Sequence, residues 1–173
     1  RVAGKNVVFR FQNVPLFYFP RFSVPTGTRE RSSGFLIPST AKSTLKGRSI
    51  SETFYWAINR SYDAFLTGEY FSERGPAGSI EVRGFPGPST TFEVNTFFAI
   101  DRSEAHQGGY RAHIRGSSVL AKDWRALTDV DITSDFMFRQ VYEEGFNVIS
   151  SPIVQSMGFM SHSGSRSSLN FLY

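Results

Sequence analysis

The sequence predicts an all-β chain of antiparallel strands belonging to a transmembrane β-barrel, and three observations carry that prediction. From Gly34 onward, segments of about ten residues alternate apolar and polar side chains, which is the period of a strand with one apolar face, and about 9–11 tilted residues cross a bilayer. Tyr62 and Tyr70 bracket the apolar positions Ala64, Leu66 and Gly68, as two interfacial aromatic girdles require. No run approaches the roughly 18 consecutive apolar residues of a transmembrane helix.

Taken in order, Val7, Phe9 and Phe11 share one face of a first strand. Pro15, Pro20 and Pro25 recur around Leu16-Phe17-Tyr18-Phe19. Each proline removes a donor and extends its predecessor, so this stretch is expected to be a stiff connector rather than a helix. Thr26-Gly27-Thr28 turns the chain, and Arg29, Glu30 and Arg31 follow as a charged rim.

The segment from Gly34 is expected to be one strand, with Phe35, Ile37, Ser39, Ala41, Ser43 and Leu45 on one face and Thr40, Lys42 and Thr44 on the other. Pro38 falls inside it, where a strand should donate a ladder bond; it marks either an edge or a built-in weak point. Gly47 turns the chain into Ile50, Phe54, Trp56 and Ile58 opposite Ser51, Thr53, Tyr55 and Ala57. Glu52 falls on the apolar face, which requires a headgroup position or a register shift nearby.

Further alternation follows. Asp63 and Glu69 oppose Ala64, Leu66 and Tyr70; Glu81 and Arg83 oppose Ile80 and Val82; Glu93 and Asn95 oppose Phe92, Val94 and Phe98. After the polar stretch DRSEAHQGG, Arg111, His113 and Arg115 oppose Tyr110, Ala112 and Ile114, and Asp129 and Asp131 oppose Thr128, Val130 and Ile132. Residues 134–148 fit a short amphipathic helix or a folded loop, 149–160 reads as a strand with Pro152 near its start, and 169–173 as another. Lys42, Asp63, Glu69, Glu81, Arg83, Arg111, Arg115, Asp129 and Asp131 are therefore the candidate lumen-facing residues. A soluble sandwich shares this alternation; uniform strand length, short turns alternating with longer loops, and the aromatic girdles favour a barrel, of about eight or nine strands in this chain.

Composition narrows function. Phe is the commonest aromatic at 18 residues, Tyr adds 7, and Ser, Thr and Gly are abundant, as in barrels whose interior is wet. The net charge is +4, but the Lys and Arg are scattered rather than clustered, which argues against nucleic acid. Cysteine is absent, so disulfides and thiolate metal sites are excluded. His106, His113 and His162 have no carboxylate at metal-ligand spacing. Asp129 and Asp131 share a strand face without further oxygen ligands nearby in sequence. There is no G-x-S-x-G elbow and no phosphate loop, so neither an enzyme nor a cofactor is expected. The chain opens RVAGKNVVFRF, without a signal segment, and is expected to be an internal piece of an exported protein.

The run VPLFYFPRFSVPTGTRERSSGFLIP (Val14–Pro38) resembles the junction between the periplasmic jelly roll and the first barrel strand in the LptD (organic solvent tolerance protein) family of LPS-assembly outer-membrane proteins. Looser similarity continues through Tyr55-Trp56, Arg74-Gly75 and TDVDITSD (Thr128–Asp135). The resemblance implies that residues 1–28 end a periplasmic β-jelly roll and its linker, and that 29–173 begin the barrel. It further implies that Val7, Phe9 and Phe11 line a lipid path and that Gly34, Phe35, Leu36, Ile37 and Pro38 form the first strand of a lateral gate. A second gate proline, expected just before Phe54-Tyr55-Trp56, is replaced here by Thr53. Implied partners are lipopolysaccharide (LPS), a plug lipoprotein (LptE-like), a periplasmic bridge protein (LptA-like), the barrel-assembly machinery and outer-membrane lipids. The implied location is the bacterial outer membrane with the N-terminal part in the periplasm. Another outer-membrane channel or porin is the alternative.

Overall fold

In the computed structural model, residues 2–11, 14–24, 31–104, 106–121, 124–142, 156–163 and 168–172 are described. Strands β1 (Val2–Phe11) and β2 (Val14–Val24) pair antiparallel as a two-stranded sheet. The expected connector over Pro15–Val24 is thus a strand. Its prolines are tolerated because a two-stranded sheet leaves each strand one free side. Pro15 adjoins a register shift at Phe9/Arg10, and Pro20 lies opposite Asn6, whose φ is 55°. Pro25 lies outside the described residues.

The second sheet holds ten strands: β3 (Gly34–Phe35), β4 (Ser39–Ser43), β5 (Gly47–Ala57), β6 (Tyr62–Phe71), β7 (Gly75–Gly87), β8 (Thr90–Ala99), β9 (Gly109–Ala121), β10 (Trp124–Thr133), β11 (Met157–Ser163) and β12 (Ser168–Leu172). All pair antiparallel with their sequence neighbours, except that β3 and β4 both lie along β5. The connections at one end are short: 58–61, 88–89, 122–123 and 164–167. At the other end they lengthen from 44–46 and 72–74 to 100–108 and 134–156, the asymmetry of barrels with short turns on one side of the membrane and long loops on the other.

The expected single first strand is broken. Phe35 pairs Phe54 and the Leu36 N–H donates to the Thr53 carbonyl at 2.8 Å, but pairing resumes only at Ser39↔Ser51. Residues 36–38 therefore span what 52–53 span on β5, one residue more, and this bulge reverses the faces beyond it. Phe35 shares the face of Phe54, whereas Ser39, Ala41 and Ser43 share that of Ser51, Ser49 and Gly47. No shift occurs on the β6 side, where Ser51↔Glu69, Glu52↔Gly68 and Thr53↔Thr67 run continuously. Glu52 thus remains on the apolar face, and the register shift lies on the neighbouring strand.

The helix α1 (Phe136–Tyr142) resolves the first part of the 134–148 ambiguity; 143–155 lie outside the described residues. Its first turn is capped by Asp135, whose carboxylate accepts the Met137 N–H. The helix packs Phe138, Val141 and Tyr142 against Phe71, Ala77, Ala99 and Phe97. These strand residues lie on the polar face, at the long-loop end.

Candidate functional site: the polar face and the first strand

Cross-strand register assigns the faces. The positions Asp63↔Arg83↔Glu93↔Arg115↔Asp129 form one row across β6–β10, and Phe65↔Glu81↔Asn95↔His113↔Asp131 form the next. Glu69 lies between Ser51 and Ala77, and Arg111 between Phe97 and Thr133. Eight of the nine sequence candidates share this face. Lys42 departs from it: it pairs with Arg48, two residues from Ile50, and so falls on the apolar side, because the bulge at 36–38 inverts the period read from Gly34.

Most of the charges on the polar face are paired across strands. Asp63, with its side chain only 3% exposed, accepts Arg83 Nε at 2.8 Å and Arg31 Nη1 at 3.1 Å. The Arg83 guanidinium lies 4.6 Å from the Phe65 ring centre, a cation–π contact. Arg111 Nε reaches Asp131 Oδ1 at 2.9 Å, His113 Nε2 lies 2.7 Å from Asp129 Oδ1, and Arg115 Nε is 3.5 Å from the other Asp129 oxygen. Most of these groups are partly exposed. Such pairs add little stability in water, about 0–1 kcal/mol each; what they provide is a wettable wall of both signs. Asp63 differs because it is buried, and it draws Arg31, ahead of the first strand, onto the same face. The Ser33 hydroxyl accepts the Ala57 N–H at 2.9 Å beside it.

The opposite face carries Leu66, Ile80, Val82, Val94, Ile114 and Val130 at every second position. Its large side chains stay open: Ile50, Trp56, Leu66, Tyr70, Ile80, Phe98, Tyr110 and Ile132 are between 37% and 51% exposed. In a sandwich this face would be covered by a second sheet; a lipid-facing wall needs no such cover. Trp56, Tyr62, Phe92 and Trp124 lie at the short-turn end, and Tyr70, Phe98 and Tyr110 at the long-loop end. Eight residues separate Tyr62 from Tyr70, about 26 Å along a strand.

In the first strand, Gly34 and Phe35 pair with Tyr55 and Phe54, while Leu36, Ile37 and Pro38 form the bulge, with Ile37 87% exposed. Across from it, Glu52 Oε1 is buried without a hydrogen-bond partner. Val7 lies in β1, half-buried; the side chains of Phe9 and Phe11 lie outside those described.

At the long-loop end, Arg74 donates to Asp101 Oδ2 at 2.9 Å, Ser103 Oγ at 3.0 Å, Gln107 Oε1 at 3.1 Å and the Leu45 carbonyl at 2.9 Å. One guanidinium thus ties three connections together. Burial of Asp101 opposes its charge, but hydrogen bonds from Ser103, Arg74 and Gln107 outweigh it and hold the carboxyl below its ordinary range. Burial lifts the Tyr142 hydroxyl to about 12. The Arg74–Asp101 tie and the seat of α1 were not foreseen from the sequence. The available signal was a layer of small residues, Gly75, Ala77, Ala99 and Gly109, which only register brings side by side. Among the described residues no cluster of metal-binding side chains occurs, and no helix is long and apolar enough to cross a membrane.

This geometry coincides with a sequence relationship. Residues 2–84 match the family model described as LptD protein. With LPS-assembly protein LptD relatives 30% and 31% identical over 75% and 73% of its length, the chain belongs to the LptD family. It is 29% identical over 153 residues to the LPS-assembly protein LptD of Shewanella frigidimarina, covering 87% of this chain and 19% of that protein. The LPS-assembly protein LptD of Nitrosococcus oceani is 28% identical over 155 residues, covering 88% of the chain and 20% of the relative. That of Actinobacillus pleuropneumoniae is 31% identical over 133 residues, covering 73% and 17%. The chain therefore spans about a fifth of the length of the curated relatives it matches. The bulged first strand lies within the stretch matched by the family model, and the paired charges extend past residue 84 to Asp131.

Proposed function

We propose that this chain forms the barrel-opening part of an outer-membrane LPS translocon, inserting lipopolysaccharide into the outer leaflet as a conduit and not as a catalyst. The observation that carries the proposal is the two-faced sheet: an uncovered apolar face against a face of paired charges, in a chain of the LptD family. The apolar face meets outer-membrane lipid. The polar face, with Asp63, Glu69, Glu81, Arg83, Arg111, Arg115, Asp129 and Asp131, lines a hydrated lumen for the saccharide of LPS. The acyl chains travel along the apolar side of the periplasmic part, where Val7, Phe9 and Phe11 lie, and leave sideways past Gly34–Pro38. The β1–β2 sheet belongs to a periplasmic jelly roll ending near residue 28.

The partners of this reading are an LptE-like plug inside the barrel, an LptA-like bridge on the jelly roll, and the barrel-assembly machinery during insertion. Single cysteines in the full-length protein test it. Cysteines at Glu69, Glu81, Arg111 and Asp131 react with a membrane-impermeant thiol reagent in intact outer membranes, and those at Leu66, Val82, Val94 and Val130 stay unreactive. The reverse pattern would mean that the faces are inverted, and equal labelling that the sheet does not divide lipid from water.

A further inference from the structure

Beside the charged row, the polar face carries exposed apolar side chains that its hydrated character does not require, three of which line one cleft. Leu127 is 48% exposed, Met157 is 49% exposed, and Phe85 is 49% exposed. On β10 the polar-face positions are Arg125, Leu127, Asp129, Asp131 and Thr133, so Leu127 interrupts a polar row. Its register partners Ser117 on β9 and Phe159 on β11, and Met157 opposite Asp129, place these apolar groups beside the charged row.

Phe85, Leu127 and Met157 line one cleft of about 440 Å³ together with Arg83, Glu93, Arg115, Asp129 and the hydroxyl residues Thr91 and Ser117. That volume lies within the roughly 300–1,000 Å³ of small-ligand clefts. Its charges cancel, two guanidinium groups against two carboxylates. A phosphate would gain little net attraction there and would meet Glu93 and Asp129. The groups suit an uncharged ligand with many hydroxyls, because carboxylates accept, guanidinium groups donate and hydroxyls do both. A pyranose also presents an apolar C–H face, which needs a partner such as Phe85, Leu127 or Met157.

We infer that this cleft is a saccharide subsite that takes an uncharged sugar residue of the lipopolysaccharide by its hydroxyls and its apolar ring face. The inference rests on the proposed lumen path and specifies where sugar pauses on it. Asp129 is oriented by His113 at 2.7 Å and Arg115 at 3.5 Å, so one carboxylate is held ready along the cleft wall. The hydroxyl pair Thr91–Ser117, 2.9 Å apart, faces the cleft from the β8–β9 side.

The test uses the full-length protein in its native membrane with a photo-reactive benzoylphenylalanine at Ser117, and a second at Thr67, on the same face but outside the cleft. Complete lipopolysaccharide is expected to crosslink from both positions. In cells making lipopolysaccharide stripped of its core sugars, with its lipid phosphates intact, the yield at 117 should fall about tenfold relative to that at 67, the scale of a lost recognition contact. In complete cells, Leu127→Asp and Glu93→Gln should each lower the yield at 117 and spare that at 67. Crosslinking at 67 with none at 117, or undiminished crosslinking to the stripped lipid at 117, overturns the subsite and leaves the lumen path standing. Crosslinking to a polypeptide alone at 117 makes the cleft a protein seat. Absence of lipopolysaccharide at both positions, with correctly assembled barrels, removes the lumen path itself.

Discussion

Arg83 and Asp63 stand opposite one another on β7 and β6, with Nε 2.8 Å from a carboxylate whose side chain is 3% exposed. The same carboxylate holds Arg31 at 3.1 Å, so the approach to the first strand and the body of the sheet meet at one buried charge. Removing Arg83 leaves the carboxylate to Arg31 alone, so the cost stays below the about 3–5 kcal/mol of fully stranding a buried charge. Arg83→Ala should therefore lower the temperature at which the full-length barrel loses its heat-modifiable gel mobility. Arg83→Ala combined with Asp63→Ala should cost less than the sum of the single changes; strict additivity would show that the pair is not coupled.

Pro38 lies in the bulge between β3 and β4, at an edge of the described sheet. On the proposed gate reading, its missing N–H weakens local pairing by about 1 kcal/mol, and lipid beside it does not replace the bond. Thr53 occupies the place where the resemblance expects a second proline, and its carbonyl accepts the Leu36 N–H. Pro38→Ala in the full-length protein should strengthen crosslinking between the first and last barrel strands and slow LPS arrival at the cell surface. Unchanged export with normal assembly excludes a gate role.

Asp101 gives the long-loop end an acid limit. Its folded-state pKa is lowered, so its contribution is present above the unfolded value of about 3.9 and is lost as pH falls through the folded value. As pH falls through that lowered value, the Ser103 and Gln107 amides, which donate to Asp101, should lose protection against hydrogen exchange while amides in the centre of β7 keep theirs. Asp101→Asn should already exchange fast at neutral pH. An acid response at these amides that survives the Asn change would assign it to another group.

Phe138 is 1% exposed, and a Cβ added at Gly109 would meet its ring at 3.2 Å as well as the Ser134 hydroxyl. Gly109→Val should dislodge α1, making a cysteine at position 138 reactive to a water-soluble thiol reagent, whereas the same cysteine beside the native glycine stays protected. Phe138→Ala should cost about 3–5 kcal/mol if the site does not collapse. Equal reactivity in both backgrounds would place the helix off the sheet in solution.

The sequence alone determined the strand period, the two faces from β5 onward and the aromatic ends of the apolar face. Alternation is a local property with period two, legible residue by residue in Tyr62–Phe71 or Trp124–Thr133. The tertiary structure decided what depends on a partner. Lys42 read as polar-face until Ser39↔Ser51 showed one residue too many at Leu36–Pro38, because a bulge is a mismatch between two strands and leaves no period of its own. The prolines of Val14–Val24 became a strand because β1 left one side unpaired. The seat of α1, the tie from Arg74 to Asp101 and the cleft between Arg83 and Asp129 each join residues far apart in the chain. Their proximity follows from cross-strand register, which sums the lengths of every intervening turn and which no single segment encodes.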